Sequence, residues 1–528
     1  MAVKGKARLY VLVLATLLAA GVEYYGKHHA PMASQPTGPQ AVPAGVVSAP
    51  AKPLPRRHWQ IGKLNLTSCE LPHRNSGATT AAWCTTFDVA ENPAQPGGRH
   101  IGLHVAVLRS DASAPEPDIV VMLAGGPGEA ATEAFAGTGA YQGLLKHHNV
   151  LLVDQRGTGS SNPLSCDKTE KAPGANAPVS DVPGPEAIRK LVASCLAEVQ
   201  KNADPRFYTT TIAVDDLEKL RQALGAPLFD LYGGSYGTRV AQQYVMRHPE
   251  GVRSVVLDSP APNQLIIGQE FASSLDTALK RDFANCIATP ECQKAFGDPM
   301  VTLHKLRDDL RANPHEVTIR DPRTFEPVTR KLTPTLLAGL VRLFAYEPET
   351  AALLPLSIDA AVHGDTAPLL GQQRLLDSDL AGDMNGGMSM SVLCSEDAGE
   401  LHERPQDADT ILGNMLIAGI KAQCDVWPHG ALPADFHTPL RTDKPVLILS
   451  GEDDPVTPPE YGKQIMQGLS NGRHLILKGQ GHGALTRGCV PKLLEQFVDN
   501  PSPKNLNARC LDRLGPTPAL IQFNGAAP

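Results

Sequence analysis

One ten-residue stretch constrains this chain more than any other: Phe229-Asp230-Leu231-Tyr232-Gly233-Gly234-Ser235-Tyr236-Gly237-Thr238. The apolar run 228–232 reads as a buried strand and the segment 239–248 as a helix, so Ser235 falls on a strand-to-helix turn of the G-x-S-x-G type. Such a turn strains the serine backbone and crowds positions 233 and 237 against neighbouring segments, which only glycine tolerates. With 47 glycines in 528 residues the pentapeptide alone has little weight. The strand before it and the helix after it supply the weight. They imply a sheet with helices packed on it and a serine presented at a strand end.

The rest of the chain extends that pattern. Runs at Ile119–Leu123, 150–153, 228–232 and 255–257 read as fully buried strands, and Leu217, Leu220 and Leu224 form one face of a helix ending at Gly225. From about Trp59 to Ala261 this alternation predicts an α/β fold, a mostly parallel sheet with helices on both faces. After Pro262 strand signals stop, and helical patterns at Phe271–Ala288, 301–312 and 336–344 predict an inserted, mainly helical cap. Strands return at 446–449 and 474–477, followed by a closing helix at 493–498. We therefore expect a first core part over 59–262, a cap over 263–435 and a second core part over 436–528. A chain of 528 residues is long enough for two such units.

The N-terminus reads as an export segment. Lys4, Lys6 and Arg8 precede an apolar run over 9–22, closed by Glu23. That run is shorter than a comfortable membrane span, which favours a cleaved signal within residues 1–30 over an N-terminal anchor. Residues 31–58, rich in Pro and Ala, read as a linker. Ten cysteines, all beyond the signal and none in a C-x-x-C pair, fit disulfides in an oxidising compartment, periplasmic or extracellular. Pairing near neighbours joins Cys69 with Cys84, Cys166 with Cys195, Cys286 with Cys292, Cys394 with Cys424, and Cys489 with Cys510. The formal charge of −7 argues against a nucleic-acid partner. A membrane partner enters only if the N-terminal segment stays uncut.

A serine hydroxyl needs a histidine to take its proton and an acid to orient that histidine. His482 lies just after the strand at 474–477, and Asp454 lies in the loop after the strand at 446–449, with Asp453 as its competitor. An oxyanion needs preorganised N–H donors, which Tyr236, next to the nucleophile, and Gly125 or Gly126, in the turn after Leu123, are placed to give.

These motifs resemble the proline iminopeptidase and tripeptidyl aminopeptidase branch of the α/β-hydrolases. The resemblance is carried by Gly125-Gly126-Pro127-Gly128, by 154–161 (Asp-Gln-Arg-Gly-Thr-Gly-Ser-Ser), by the Ser235 turn, and by Asp454-Pro455-Val456-Thr457-Pro458 with Gly481-His482. Cys84, the segment 394–397 and Cys489 resemble the exported tripeptidyl aminopeptidase members in particular. Ala124 departs from the family, many members of which carry His there. The resemblance implies a helical cap over the site, no metal and no organic cofactor, and exopeptidase action on peptides with a free N-terminus. Such an activity needs a carboxylate for the substrate ammonium, for which Glu396 and Asp397 are candidates. A carboxylesterase or amidase for small molecules would use the same machinery. A non-catalytic binding protein on this scaffold would have no need of the complete triad.

Overall fold

The structure, a computed structural model, describes residues 57–73, 76–165, 184–321, 324–372 and 385–523. The export segment, nearly all of the linker, and Cys166 lie outside these residues. Ten strands form one sheet in the order β1-β2-β3-β4-β6-β5-β7-β8-β11-β12. The chain enters through an antiparallel meander of β1 (His58–Ile61), β2 (Leu64–Pro72), β3 (Thr79–Ala90) and β4 (His100–Leu108), and β4 pairs antiparallel with β6 (Asn149–Val153). From there the sheet is parallel through β5 (Ile119–Leu123), β7 (Phe229–Gly234), β8 (Val252–Asp258), β11 (Val446–Gly451) and β12 (Gly472–Leu477).

The apolar runs explain the parallel part. Every residue of β5 and β6 is buried, as strands covered on both faces require. Val121, Leu151, Leu231, Val255 and Ile448 pack into one core cluster, whereas Val120, Leu152, Tyr232, Val256 and Leu449 join a second. That division is the period-2 alternation of strands between two helical layers. The Thr210–Leu224 helix ends at Gly225 in a left-handed C-cap (φ 68°), where glycine carries no Cβ penalty.

Between β8 and β11 the chain runs mainly through helices, among them Phe271–Ala288, Pro299–Ala312, Pro334–Phe344 and Gly386–Glu396. A third cluster around Leu275, Phe283, Leu303, Val341, Phe344 and Ile358 holds this insertion together. Strand pairing does not stop there, however. β9 (His315–Arg320) and β10 (Pro327–Leu332) form an antiparallel hairpin. Its strands are short and mostly polar, with every second residue of β10 exposed, so they lack the apolar run that marks a buried strand. The entering meander is half-exposed too, which is why an alternating parallel pattern from Trp59 onward is not what forms there.

Among the described residues, four disulfides join Cys69 with Cys84, Cys286 with Cys292, Cys394 with Cys424, and Cys489 with Cys510. Cys195 is not a free thiol. Among the described residues no helix is long and apolar enough to cross a membrane.

Candidate active site

The candidate site is built from loops at the C-terminal ends of the parallel strands, where open α/β sheets place ligands. Ser235 follows β7 and precedes the helix Tyr236–Arg247, with φ 52° and ψ −121°. A non-glycine residue in that region stores strain, and it is held there by its own N–H donating to the Asp258 carbonyl at 2.9 Å. The neighbours show why the flanking positions are glycine. A Cβ on Gly233 would run into the Gly237 carbonyl, and one on Gly237 into the Leu123 carbonyl.

His482 is brought in by the loop after β12. Its backbone N–H donates to the Tyr346 carbonyl at 2.7 Å, and the Tyr346 ring lies edge-on to the imidazole, centroids 5.2 Å apart. Nδ1 donates to Asp454 Oδ2 at 2.8 Å, which leaves Nε2 as the unprotonated nitrogen of the neutral ring. Asp454 is buried and also accepts from the Val456 and Thr457 N–H groups, each at 2.8 Å, and from Thr457 Oγ1 at 2.9 Å. Burial pushes its carboxyl up, but His482 and these donors outweigh that and hold its pKa below the ordinary value. For His482 burial works downward, yet Asp454, aided by Asp258, pulls harder and the imidazole ends above its ordinary pKa. The ring bonds to Asp454 and Thr457, not to Asp453, whose carboxyl burial pushes up to about 6.

Asp258, at the end of β8, was not singled out by its sequence context. It is buried, accepts from Tyr232 Oη at 2.7 Å and from the Ala484 N–H at 2.8 Å, and so pins the loop that carries His482. Thr457 belongs to the same class of supporting residue, although its place in the Asp454-Pro-Val-Thr run was a visible signal.

The turn after β5 brings Gly125 against the nucleophile: a Cβ there would lie 3.2 Å from Ser235 Cβ and 3.1 Å from Glu129 Oε2. The Gly125 N–H donates to that same Glu129 oxygen at 3.0 Å. Of the two loop donors considered, Gly125 thus has its N–H committed to Glu129. The Tyr236 ring is fixed beneath the site by Thr210 Oγ1 at 2.6 Å and Gln155 Nε2 at 3.2 Å.

Glu396 and Asp397 occupy different surroundings from those an ammonium anchor needs. Glu396 is 3% exposed and accepts from the Thr210 N–H (2.7 Å) and Oγ1 (2.9 Å); burial pushes its carboxyl up to about 7. Asp397 is 1% exposed and takes both oxygens to Arg239 Nη1, at 3.0 and 3.1 Å, and one to the Ile267 N–H. Both are spent on internal partners that tie the cap to the core.

Two charged groups that the sequence did not single out also reach the site. One is Glu129. The other is Arg342, on the Pro334–Phe344 helix, whose Nη2 donates to Tyr346 Oη at 3.0 Å and whose charge opposes protonation of His482.

Comparison with known proteins agrees with this geometry. A family profile described as alpha/beta hydrolase fold matches residues 118–486. The chain is 24% identical over 477 residues to serine protease Hip1 of Mycobacterium tuberculosis, covering 84% of this chain and 90% of that protein. To the tripeptidyl aminopeptidase of Streptomyces coelicolor it is 24% identical over 470 residues, covering 82% and 84%. A shorter match, 26% identical over 141 residues, spans 26% of this chain and 31% of the proline iminopeptidase of Neisseria gonorrhoeae.

Proposed function

Because this chain belongs to the α/β-hydrolase family, we propose that it is an exported serine peptidase that trims peptides from a free N-terminus. The observation that carries the reading is the strained Ser235 at the end of β7 together with a His482, in the loop after β12, whose Nδ1 is committed, at 2.8 Å, to the buried Asp454. The relatives named serine protease and tripeptidyl aminopeptidase support a peptide substrate. The N-terminal basic and apolar segment and the four disulfides support export.

Ser235 Oγ attacks the scissile carbonyl as His482 Nε2 takes its proton; the imidazolium then gives that proton to the leaving amine as the C–N bond breaks. Asp454 holds the ring and its charge. The N–H groups of Tyr236 and Gly126 receive the oxyanion. Water, deprotonated by His482, then clears the acyl-enzyme.

Recognition of a free N-terminus needs a carboxylate, and Glu129 sets one beside the nucleophile. An anchor that close meets the ammonium of the residue being removed. A tripeptide would put its ammonium two residues, or about 7 Å, further out. Single-residue release is the register this geometry favours.

The test is a peptide panel with free and acetylated N-termini, with the fragments sized by mass spectrometry. Turnover of the free forms alone, with single residues released, is the expected result. Equal turnover of acetylated forms would sink the aminopeptidase reading and point to the esterase or amidase alternative; released tripeptides would remove Glu129 as the anchor.

A further inference from the structure

Arg342 is a cation the triad does not use. Its guanidinium lies over the Phe271 ring, 4.5 Å from the centroid, and 5.5 Å from that of Tyr346. Nη2 is held by Tyr346 Oη at 3.0 Å, but Nη1 is buried without a hydrogen-bond partner. A buried N–H on a charged group is costly to leave unpaired, and its persistence calls for an explanation. The two rings hold the guanidinium from neighbouring positions.

Its position says which part of a substrate would meet it. Tyr346 packs edge-on to His482, and Arg342 lies on the far end of Tyr346. His482 is the group that hands a proton to the leaving nitrogen, and Arg342 reaches it through Tyr346. The geometry points to Arg342 as a specificity residue that receives a carboxylate on the leaving side of the scissile bond. That carboxylate belongs to the residue after the cut: either the C-terminus of a dipeptide or an acidic side chain. A guanidinium with one free N–H edge suits a carboxylate in either setting. This inference rests on the peptidase reading above.

The experiment separates the two. The reduced-bond analogue of Ala-Ala, with CH2–NH in place of the amide, is prepared as acid and as C-terminal amide, and each is used to inhibit p-nitrophenyl acetate hydrolysis by the full chain. In parallel, kcat/KM is measured for Ala-Ala against Ala-Ala-amide and for Ala-Glu-amide against Ala-Gln-amide. The acid inhibitor is expected to bind at least about tenfold tighter than its amide, the weight of a charge-assisted hydrogen bond. That ratio should fall to near one in Arg342→Met and be partly kept in Arg342→Lys. The peptide pair that shows the same ratio identifies the carboxylate. Equal inhibition by acid and amide in the wild type together with equal kcat/KM for Ala-Glu-amide and Ala-Gln-amide, or a preference that Arg342→Met retains, overturns the assignment. Uncleaved peptides alongside an intact inhibitor ratio would instead refute the peptidase reading and leave the anion site standing.

Discussion

Asp258 and Asp454 are both buried carboxylates at strand ends, and their environments set them apart. Asp454 receives an imidazole and three other donors, and its pKa is lowered; Asp258 is pushed up by burial, against the pull of Tyr232 and Ala484. His482 must be neutral to accept the serine proton, and its pKa is raised. The acid limb of kcat/KM should therefore fall at a pH above the ordinary imidazole value of about 6.5, activity being lost as pH drops through it. In Asp454→Asn the limb should shift to lower pH and kcat should fall by about 10⁴; a pH–rate profile of both proteins checks this. Asp258→Ala should lower kcat about 10- to 100-fold with a smaller change in KM, since it frees the His482 loop without touching the triad. Steady-state kinetics on p-nitrophenyl acetate would show it, and an unchanged kcat would remove Asp258 from this role. Ser235, Asp454 and His482 were legible because each lies in a short motif whose chemistry needs that residue type. Asp258 was not, because it acts through a contact with Ala484, 226 residues away.

At the level of elements, the nucleophile helix is locked to the cap by Arg239, which lies buried between Asp397 and the Leu265 carbonyl. Arg239→Met should cost about 3–5 kcal/mol in chemical denaturation, because Asp397 is left as a buried, unpaired charge. Arg239→Met with Asp397→Leu should recover much of it. A second network closes the opposite end of the sheet, where Asp118, His148, Asp230 and Arg253 gather at the strand starts, with Asp499 from the Val490–Asp499 helix. Burial pulls His148 down, but Asp118 and Asp499 lift it above its ordinary pKa. A raised folded-state pKa stabilises the fold fully below the unfolded value and loses that contribution as pH rises through the folded value. The Tm penalty of His148→Ala should thus be largest near pH 6 and shrink toward pH 9. The buried strands and long helices were legible from their apolar periods. The β9–β10 hairpin and the entering meander were not, since half-exposed strands with polar faces carry no such period.

Over the whole molecule, the sheet carries the triad loops and the cap brings Tyr346 against His482, with Arg342 bonded to Tyr346. Disulfides staple both parts. The 21- and 30-residue separations of Cys489–Cys510 and Cys394–Cys424 should each contribute about 3 kcal/mol, and the six-residue Cys286–Cys292 loop less. Thermal unfolding of the paired Cys→Ala variants should rank them in that order. Four of the five near-neighbour pairs were readable from spacing, whereas the docking of cap on core depends on Arg239 and Asp397 meeting across 158 residues. The central claim is that Ser235 is a nucleophile activated by His482. Its most direct test is labelling with a fluorophosphonate, the modified residue being located by peptide mass spectrometry. We predict one label per chain, on Ser235, abolished in Ser235→Ala and nearly so in His482→Ala; labelling at another residue, or undiminished labelling of Ser235→Ala, would contradict the account.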